Sequence, residues 1–413
     1  MSSVLGPEDI EFIVPSRSGI RALYDAIAAR LESPGSHRPL MPLASSEGVA
    51  ADAAVAAATA ADAVVAATTA ADAAAVAGRI RWRPDIDFIL QTSGSTTGKG
   101  HLVGLSARAF LASEAATAEF FGGRGRWVLA LPAHHVAGFQ VVARSCVAGS
   151  YPVVLPPGVS LRDGGGADTV DMPEGGFLSV VPTQLSDIVE SGRVGTTALR
   201  RLRAILVGGA AAAPSLITRA RALGLPVVTT YGMTETAGGC VYNGIPLPGV
   251  QVAAPAGRLH LSGPMLAAGY LDEPESAAFV RSGGRRWHVT NDAGSVTDGR
   301  VQVAGRLDDV IISGGVKVHA ILVSEVLCSF PGVRRAEVLP VADARWGQIV
   351  GVILEADFPF AQRVAEVREY VRARLGKAAA PRRVVQATIP MLASGKVDRL
   401  RALEMLRTPT WEK

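Results

Sequence analysis

The run Thr92-Ser93-Gly94-Ser95-Thr96-Thr97-Gly98-Lys99-Gly100 combines small residues, hydroxyls and one cation over the length of a single loop. Small residues let a backbone approach a polyphosphate, hydroxyls donate to its oxygens, and Lys99 adds positive charge. A Walker-type phosphate loop fails on spacing. Only three residues separate Gly94 from Gly98, and Gly100 stands where a magnesium-binding hydroxyl is needed. A plain Ser/Gly-rich turn has the same composition, so this loop does not decide the matter alone. Val207-Gly208-Gly209-Ala210 ends an apolar run on two glycines, which suits close approach of a flat ring or acyl chain as well as a tight turn. Pro132-Ala133-His134-His135-Val136-Ala137-Gly138 precedes an apolar helical stretch, Phe139–Val147, that contains Arg144, nine residues beyond His135. Adjacent histidines suit a metal, but neither a carboxylate nor a third histidine lies nearby, and that reading is rejected. A guanidinium in an apolar stretch is costly unless paired. Either a structural Asp or Glu satisfies Arg144, or it binds an anionic substrate.

The Thr92–Gly100 run resembles the T-S-G-S/T-T-G-x-P-K-G signature of the adenylate-forming superfamily, which includes acyl-CoA synthetases, peptide-synthetase adenylation domains and luciferases. It lacks the proline before the lysine. Four further motifs follow in the family's order. Tyr231-Gly232-Met233-Thr234-Glu235-Thr236 is similar to Y-G-x-T-E, and Gly263-Pro264-Met265 running to Gly269-Tyr270 is similar to G-P-x-x-x-x-G-Y. Gly305-Arg306-Leu307-Asp308-Asp309-Val310-Ile311 running to Gly315 resembles the G-R-x-D-D-x-I-x-x-x-G hinge. Ser394-Gly395-Lys396-Val397-Asp398-Arg399 resembles G-K-x-x-R near the C-terminus.

The resemblance implies a reaction in two halves, with ATP, Mg2+ and coenzyme A. A carboxylate attacks the α-phosphorus of ATP, and a thiol then attacks the acyl-adenylate. The first half brings two anions together, so neutralising charge is the protein's main task. Thr92, Ser93, Gly94, Ser95, Thr96 and Lys99 would then hold phosphates. Glu235 would hold magnesium, which commonly takes few carboxylates, and Thr234 the α-phosphate. Tyr231, Gly232 and Gly209 would line the nucleotide site, with Asp292 and Arg306 on the ribose. Asp292 sits in Thr290-Asn291-Asp292, where the family has T-G-D; Asn tolerates left-handed backbone better than most residues. Lys396 would be the catalytic cation between carboxylate and α-phosphate. Asp308 matches the hinge, and Gly314 and Gly315 the pantetheine path. His135, Gly208 and Arg144 would form the acyl pocket. The spacing from His135 to Arg144 resembles that of the o-succinylbenzoate–CoA ligases of menaquinone biosynthesis, whose substrate keeps a second carboxylate after activation. A generic aryl- or acyl-CoA ligase and an adenylation domain loading a carrier protein remain the alternatives.

These residues need elements to hold them. Short apolar runs at Ile86–Leu90, Trp127–Leu131, Tyr151–Leu155, Phe177–Val181, Ala204–Val207 and Val227–Thr230 read as buried strands. Helices at Ser106–Phe121, with Ser106 as N-cap, and at Pro214–Leu223 alternate with them. This pattern argues for an α/β fold with parallel-rich sheets. Shorter glycine-punctuated strands follow at Arg258–Ser262, Arg286–Thr290 and Arg300–Ala304, then an αβ unit with a helix near Val364–Leu375. A large N-terminal domain, residues 1–304, and a small mobile C-terminal α+β domain, residues 305–413, are expected. Residues 44–78 form an alanine-rich low-complexity insertion in which Asp52, Asp62 and Asp72 recur every ten residues. That spacing turns successive acids by about 80° around a helix, so they mark no single face.

The 413 residues suit two domains. A net charge of +4 and 5% aromatics give no basic, aromatic-interleaved stripe for nucleic acid. Cys146, Cys240 and Cys328 form no C-x-x-C pair. No stretch reads as a membrane span or secretory leader, so a cytoplasmic protein is expected; a homodimer is compatible with the sequence. Deleting Ala50–Gly78 should leave ATP- and acid-dependent pyrophosphate release within about 2-fold of the full chain, an exposed segment away from packed features being nearly neutral. A deletion variant with a normal melting transition and no turnover would contradict this.

Overall fold

The computed structural model describes residues 9–13, 15, 19–43, 80, 85–92, 100–155, 161, 170–192, 196–391 and 397–407. The alanine-rich insertion, residues 93–99 and the segment 392–396 with Lys396 lie outside the described residues, as does the side chain of Asp308.

Five of the seven strands in the central sheet follow the expected apolar runs, and Gly238–Tyr242 and Ile245–Pro246 extend it at one edge. Its order is Ile245–Pro246, Gly238–Tyr242, Val227–Met233, Ala204–Val207, Phe177–Val180, Trp127–Leu129 and Val153–Val154, parallel from Val227–Met233 onward. Alternate residues go to opposite faces, and both faces are buried. Trp127, Phe177, Ala204 and Leu206 enter one core, while Val128, Leu178, Ile205 and Val207 enter another. The first core is closed by α1 (Gly19–Glu32), α2 (Ala107–Phe121) and α3 (Val136–Val147). The second is closed by α4 (Pro182–Glu190) and α5 (Pro214–Ala222), both opened by a proline that needs no hydrogen-bond partner there.

The strand expected at Ile86–Leu90 forms as Phe88–Gln91, but it is not part of the central sheet. It pairs antiparallel with Leu102–Leu105 in a five-stranded sheet on the far side of α1–α3. The reason is length. Ten residues between Gln91 and Leu102 suffice for a hairpin, whereas a parallel crossover needs a dozen or more.

Ser106 caps α2 as expected, its Oγ accepting from Ala109 N at 3.2 Å. Helix α3 begins earlier than the apolar stretch suggests, with His135 at the cap position. Gly138 permits this, because a Cβ there would stand 2.3 Å from the Pro132 carbonyl oxygen. A third, antiparallel sheet follows, built on the long strand Arg285–Thr297 with Arg258–Ser262, Phe279–Ser282 and Arg300–Arg306. The last unit pairs Val333–Asp343 with Gly347–Ala356 and packs α6 (Ala320–Cys328), α7 (Phe360–Leu375) and α8 (Arg399–Arg407) around separate cores drawn from Ile311 to Leu406. Among the described residues, no helix is long and apolar enough to cross a membrane.

Candidate active site

One cleft of about 1280 Å³ runs past the carboxyl ends of the parallel strands and is roofed by the C-terminal unit. This is where open α/β sheets bind ligands. Thr92, Tyr231, Thr234, Glu235, Asp292 and Arg306 line it, as do His135, Arg144, Gly208 and Gly209. Motifs up to 214 residues apart in sequence (from Thr92 to Arg306) therefore share one space.

At the nucleotide end, the Tyr231 hydroxyl donates to Asp292 Oδ2 at 2.7 Å. Burial first, and the Asp292 charge second, push the Tyr231 phenol up, so it stays a donor. Asp292 faces Arg306 in register on the neighbouring strand. The backbone at Asn291 is extended strand, so the asparagine needs no left-handed conformation in place of the family's glycine. Gly232 has a steric reason of its own: a Cβ would lie 2.2 Å from the Gly238 carbonyl oxygen. Likewise a Cβ on Gly208 would lie 2.2 Å from Thr230 Oγ1, and Gly209 has φ +80°.

Glu235 is 7% exposed and accepts from the Tyr270 hydroxyl at 2.7 Å. Tyr270 in turn stacks on His101, ring centroids 4.3 Å apart. Burial and the adjacent Glu235 raise the Tyr270 phenol, so it keeps its proton and donates it to Oε1 of the carboxylate. Among the described residues Oε2 has no recorded partner, and no group of three metal-ligating side chains occurs. A single carboxylate still fits magnesium, which keeps waters and takes substrate phosphate oxygens. Thr92 pairs with His101 just beyond the antiparallel strands Phe88–Gln91 and Leu102–Leu105. Its amide donates to the His101 carbonyl at 3.0 Å, and its Oγ1 accepts from the His101 amide at 2.8 Å.

At the other end, Arg144 is 4% exposed and has no ion-pair partner among the described residues. Its Nη2 donates to Thr117 Oγ1 at 3.0 Å and to the Tyr242 hydroxyl at 3.1 Å, and its guanidinium lies 4.8 Å from the Trp127 ring centroid. Its Nε–H is buried with no acceptor. Of the two explanations open from the sequence, no structural carboxylate pairs with Arg144 among the described residues. His135 lines the cleft beside His134, whose imidazole is held neutral by burial with a pKa lowered to about 4.

The described residues on either side of 392–396 have defined partners. Met391 and Val397 form an antiparallel bridge, and both line the cleft. Asp398 Oδ1 accepts from Arg401 N at 3.0 Å, capping α8. Arg399 makes a two-point pair with Asp309 in the hinge turn, at 2.8 and 2.7 Å. Beside them Glu337 is pushed up to about 7 by burial. Gly314 and Gly315 lie elsewhere. They form a hairpin turn with φ +58° and +81°, and a Cβ on Gly314 would meet the Trp346 ring at 2.6 Å.

Sequence reasoning assigned no role to Tyr270, Thr117, Tyr242 or the Asp309–Arg399 pair. Tyr270 belongs to a recognised motif, which was a usable signal. Tyr242 is 98 residues from Arg144, and nothing in the sequence joins them.

This is a two-part α/β enzyme with a nucleotide cleft between its parts. The chain belongs to the AMP-binding enzyme family, matching that family over residues 6–271 and its C-terminal domain over residues 323–396. It is 36% identical over 329 residues to a probable 2-succinylbenzoate–CoA ligase of Mycobacterium tuberculosis, covering 76% of this chain and 83% of that protein. Wild-type E. coli MenE with a bound m-phenylether-linked analogue of OSB-AMS is 26% identical, with a TM-score of 0.58 over 79% of this chain and 71% of that one. The fold also matches o-succinylbenzoate CoA synthetase of Bacillus subtilis in complex with the acyl-adenylate OSB-AMP, at 22% identity and a TM-score of 0.69 over 95% and 94% of the two chains. The protein is an adenylate-forming ligase of the acyl-CoA synthetase class.

Tyr270→Phe removes the hydroxyl that fixes Glu235. The apparent KM for magnesium-ATP should rise about 10-fold, since a hydrogen bond to a charged group contributes roughly 1.5–3 kcal/mol. An unchanged KM across a magnesium titration would show that Glu235 does not depend on Tyr270.

Proposed function

We propose that the protein activates o-succinylbenzoate with magnesium-ATP and transfers the acyl group to coenzyme A, in the cytoplasm where both cosubstrates are held. The observation that carries this reading is Arg144: a buried guanidinium surrounded by hydroxyls and an indole, with a spare Nε–H and no carboxylate partner among the described residues. The names of the relatives agree with it. One carboxylate of the substrate reacts while the ring carboxylate remains anionic and pairs with Arg144.

The reacting carboxylate attacks the α-phosphorus, and the bond to the pyrophosphate oxygen breaks. The coenzyme A sulfur then attacks the acyl carbon, AMP leaves, and the thiol proton passes to solvent. Thr92 and residues 93–99 hold phosphates, with Lys99 supplying charge. Asp292 and Arg306 orient the ribose; Tyr231 braces Asp292. Thr234 donates to the α-phosphate. Glu235, steadied by Tyr270, holds the magnesium, which supplies charge neutralisation on the phosphates. Lys396 stabilises the charge that builds between carboxylate and α-phosphate. We take residues 1–304 and 305–413 as the bodies that move between the two halves of the reaction, with Asp308 at the hinge. The cleft-facing Met391 and Val397, and the distance of Gly314–Gly315 from it, suit the adenylating arrangement.

Lys396→Ala should lower adenylate formation by roughly 10²–10³-fold, the usual worth of one preorganised charge contact. Thioester formation from supplied acyl-adenylate should survive. Equal loss in both half-reactions would remove Lys396 from this role. The reading as a whole is tested by pyrophosphate release against a panel of acids, with and without coenzyme A. The dicarboxylate should be the best substrate and its CoA thioester the product; a neutral-tailed aryl or acyl acid as best substrate would make this a generic CoA ligase.

A buried arginine that meets substrate predicts a second outcome. Arg144→Lys loses the planar two-point contact and should raise the KM for o-succinylbenzoate with little change for ATP. Arg144→Ala should be worse, removal of one partner of a buried charge pair costing about 3–5 kcal/mol. A folded Arg144→Ala enzyme with normal turnover would make Arg144 structural.

A further inference from the structure

Helix α3 carries two buried polar side chains one turn apart, Gln140 and Arg144, 3% and 4% exposed, and both line the cleft. Each is matched by a hydroxyl on α2, where Ser113 and Thr117 are also one turn apart. Gln140 Nε2 donates to Ser113 Oγ at 2.7 Å, just as Arg144 Nη2 donates to Thr117 Oγ1 at 3.0 Å. After these bonds one buried atom on each side chain is left without a partner: Oε1 of Gln140 and Nε of Arg144. An orphaned buried polar atom is destabilising. Two on adjacent turns of one cleft-lining face indicate a ligand that completes them.

The chemistry of the pair says which ligand. Residues four apart on a helix have Cβ atoms about 5–6 Å apart, a span that the two oxygens of one carboxylate can bridge between long side chains. Arg144 offers only a donor. Gln140 offers either, because a serine hydroxyl both donates and accepts. With its amide turned by half a revolution, Oε1 accepts from Ser113 and Nε2 is released to donate. Glutamine is thus matched to an anion beside Arg144 without bringing a charge of its own.

We propose that Gln140 is a specificity residue of the acyl site, a second donor to the substrate's ring carboxylate one helical turn before Arg144. This rests on the reading of Arg144 given above. The test compares o-succinylbenzoate with benzoylpropionate, the same acid without the ring carboxylate, in steady-state assays at saturating ATP. Gln140→Leu should raise the KM for o-succinylbenzoate about 10-fold, with kcat within about 2-fold and no change in KM for benzoylpropionate or ATP. Gln140→Glu, which sets a like charge against the anion, should raise it on the order of 100-fold. Gln140→Met serves the same comparison should the leucine variant fail to fold. Parallel shifts for both acids, or none for either, would overturn the role of Gln140. A wild-type enzyme indifferent to the ring carboxylate would instead overturn the assignment of Arg144.

Discussion

A guanidinium taken out of water must be compensated, and Arg144 is compensated only in part. Two hydroxyls share its Nη2, and the Trp127 indole lies under its plane. The surrounding proton arrangement is consistent. Thr117 gives its hydroxyl proton to the Ser113 carbonyl, Tyr242 can then donate to Thr117, and Arg144 donates to both oxygens. The hydroxyls of Thr117 and Tyr242 are thus in use, yet the Arg144 Nε–H lacks an acceptor and the positive charge stays unneutralised. Much of the N-terminal unit serves to hold that charge in place. Helix α3 is clamped to α2 through the Ser113–Gln140 and Thr117–Arg144 bonds. Its first turn is pressed onto Pro132 at Gly138, and the Phe88, Phe110 and Phe139 rings pack beneath it.

The nucleotide end is organised by the opposite sign. Asp292 and Glu235 are carboxylates, each given one phenolic hydroxyl, from Tyr231 and Tyr270 respectively. A phenol kept protonated by burial fixes a carboxylate without cancelling its charge, so each remains able to serve a ribose hydroxyl or a cation. The roof has its own tie. The two-point pair of Arg399 with Asp309 joins the start of α8 to the turn Leu307–Asp309. Arg335 and Glu355 brace the other flank, Glu355 accepting from Ile389 N at 2.8 Å.

Much of this arrangement can be read from the sequence, and the exceptions share a cause. Motif residues such as Tyr231, Glu235 and Arg306 are legible because phosphate chemistry restricts both residue type and order. The strands at Ala204–Val207 and Arg258–Ser262 are legible because glycine, proline and charge bound their apolar runs. Pairing is less so. Phe88–Gln91 has the composition of a central strand, and only the short return to Leu102 sends it to another sheet. Whether Arg144 is satisfied by a carboxylate or by hydroxyls depends on Thr117 and Tyr242, brought together by α2 and the Gly238–Tyr242 strand. Such three-body facts carry no sequence period. Gly314 shows the reverse: a glycine assigned to a ligand path by resemblance has its own explanation in the Trp346 ring and a left-handed turn.

The claim that most depends on this structure is that the charge of Arg144 waits for a carboxylate that does not react. The direct measurement is the ratio of kcat/KM for o-succinylbenzoate to that for benzoylpropionate in the wild-type enzyme, with coenzyme A and ATP saturating. A buried, two-point charge contact formed with only one of them should favour o-succinylbenzoate by at least about 100-fold, or roughly 3 kcal/mol. Equal values for the two acids would contradict the account.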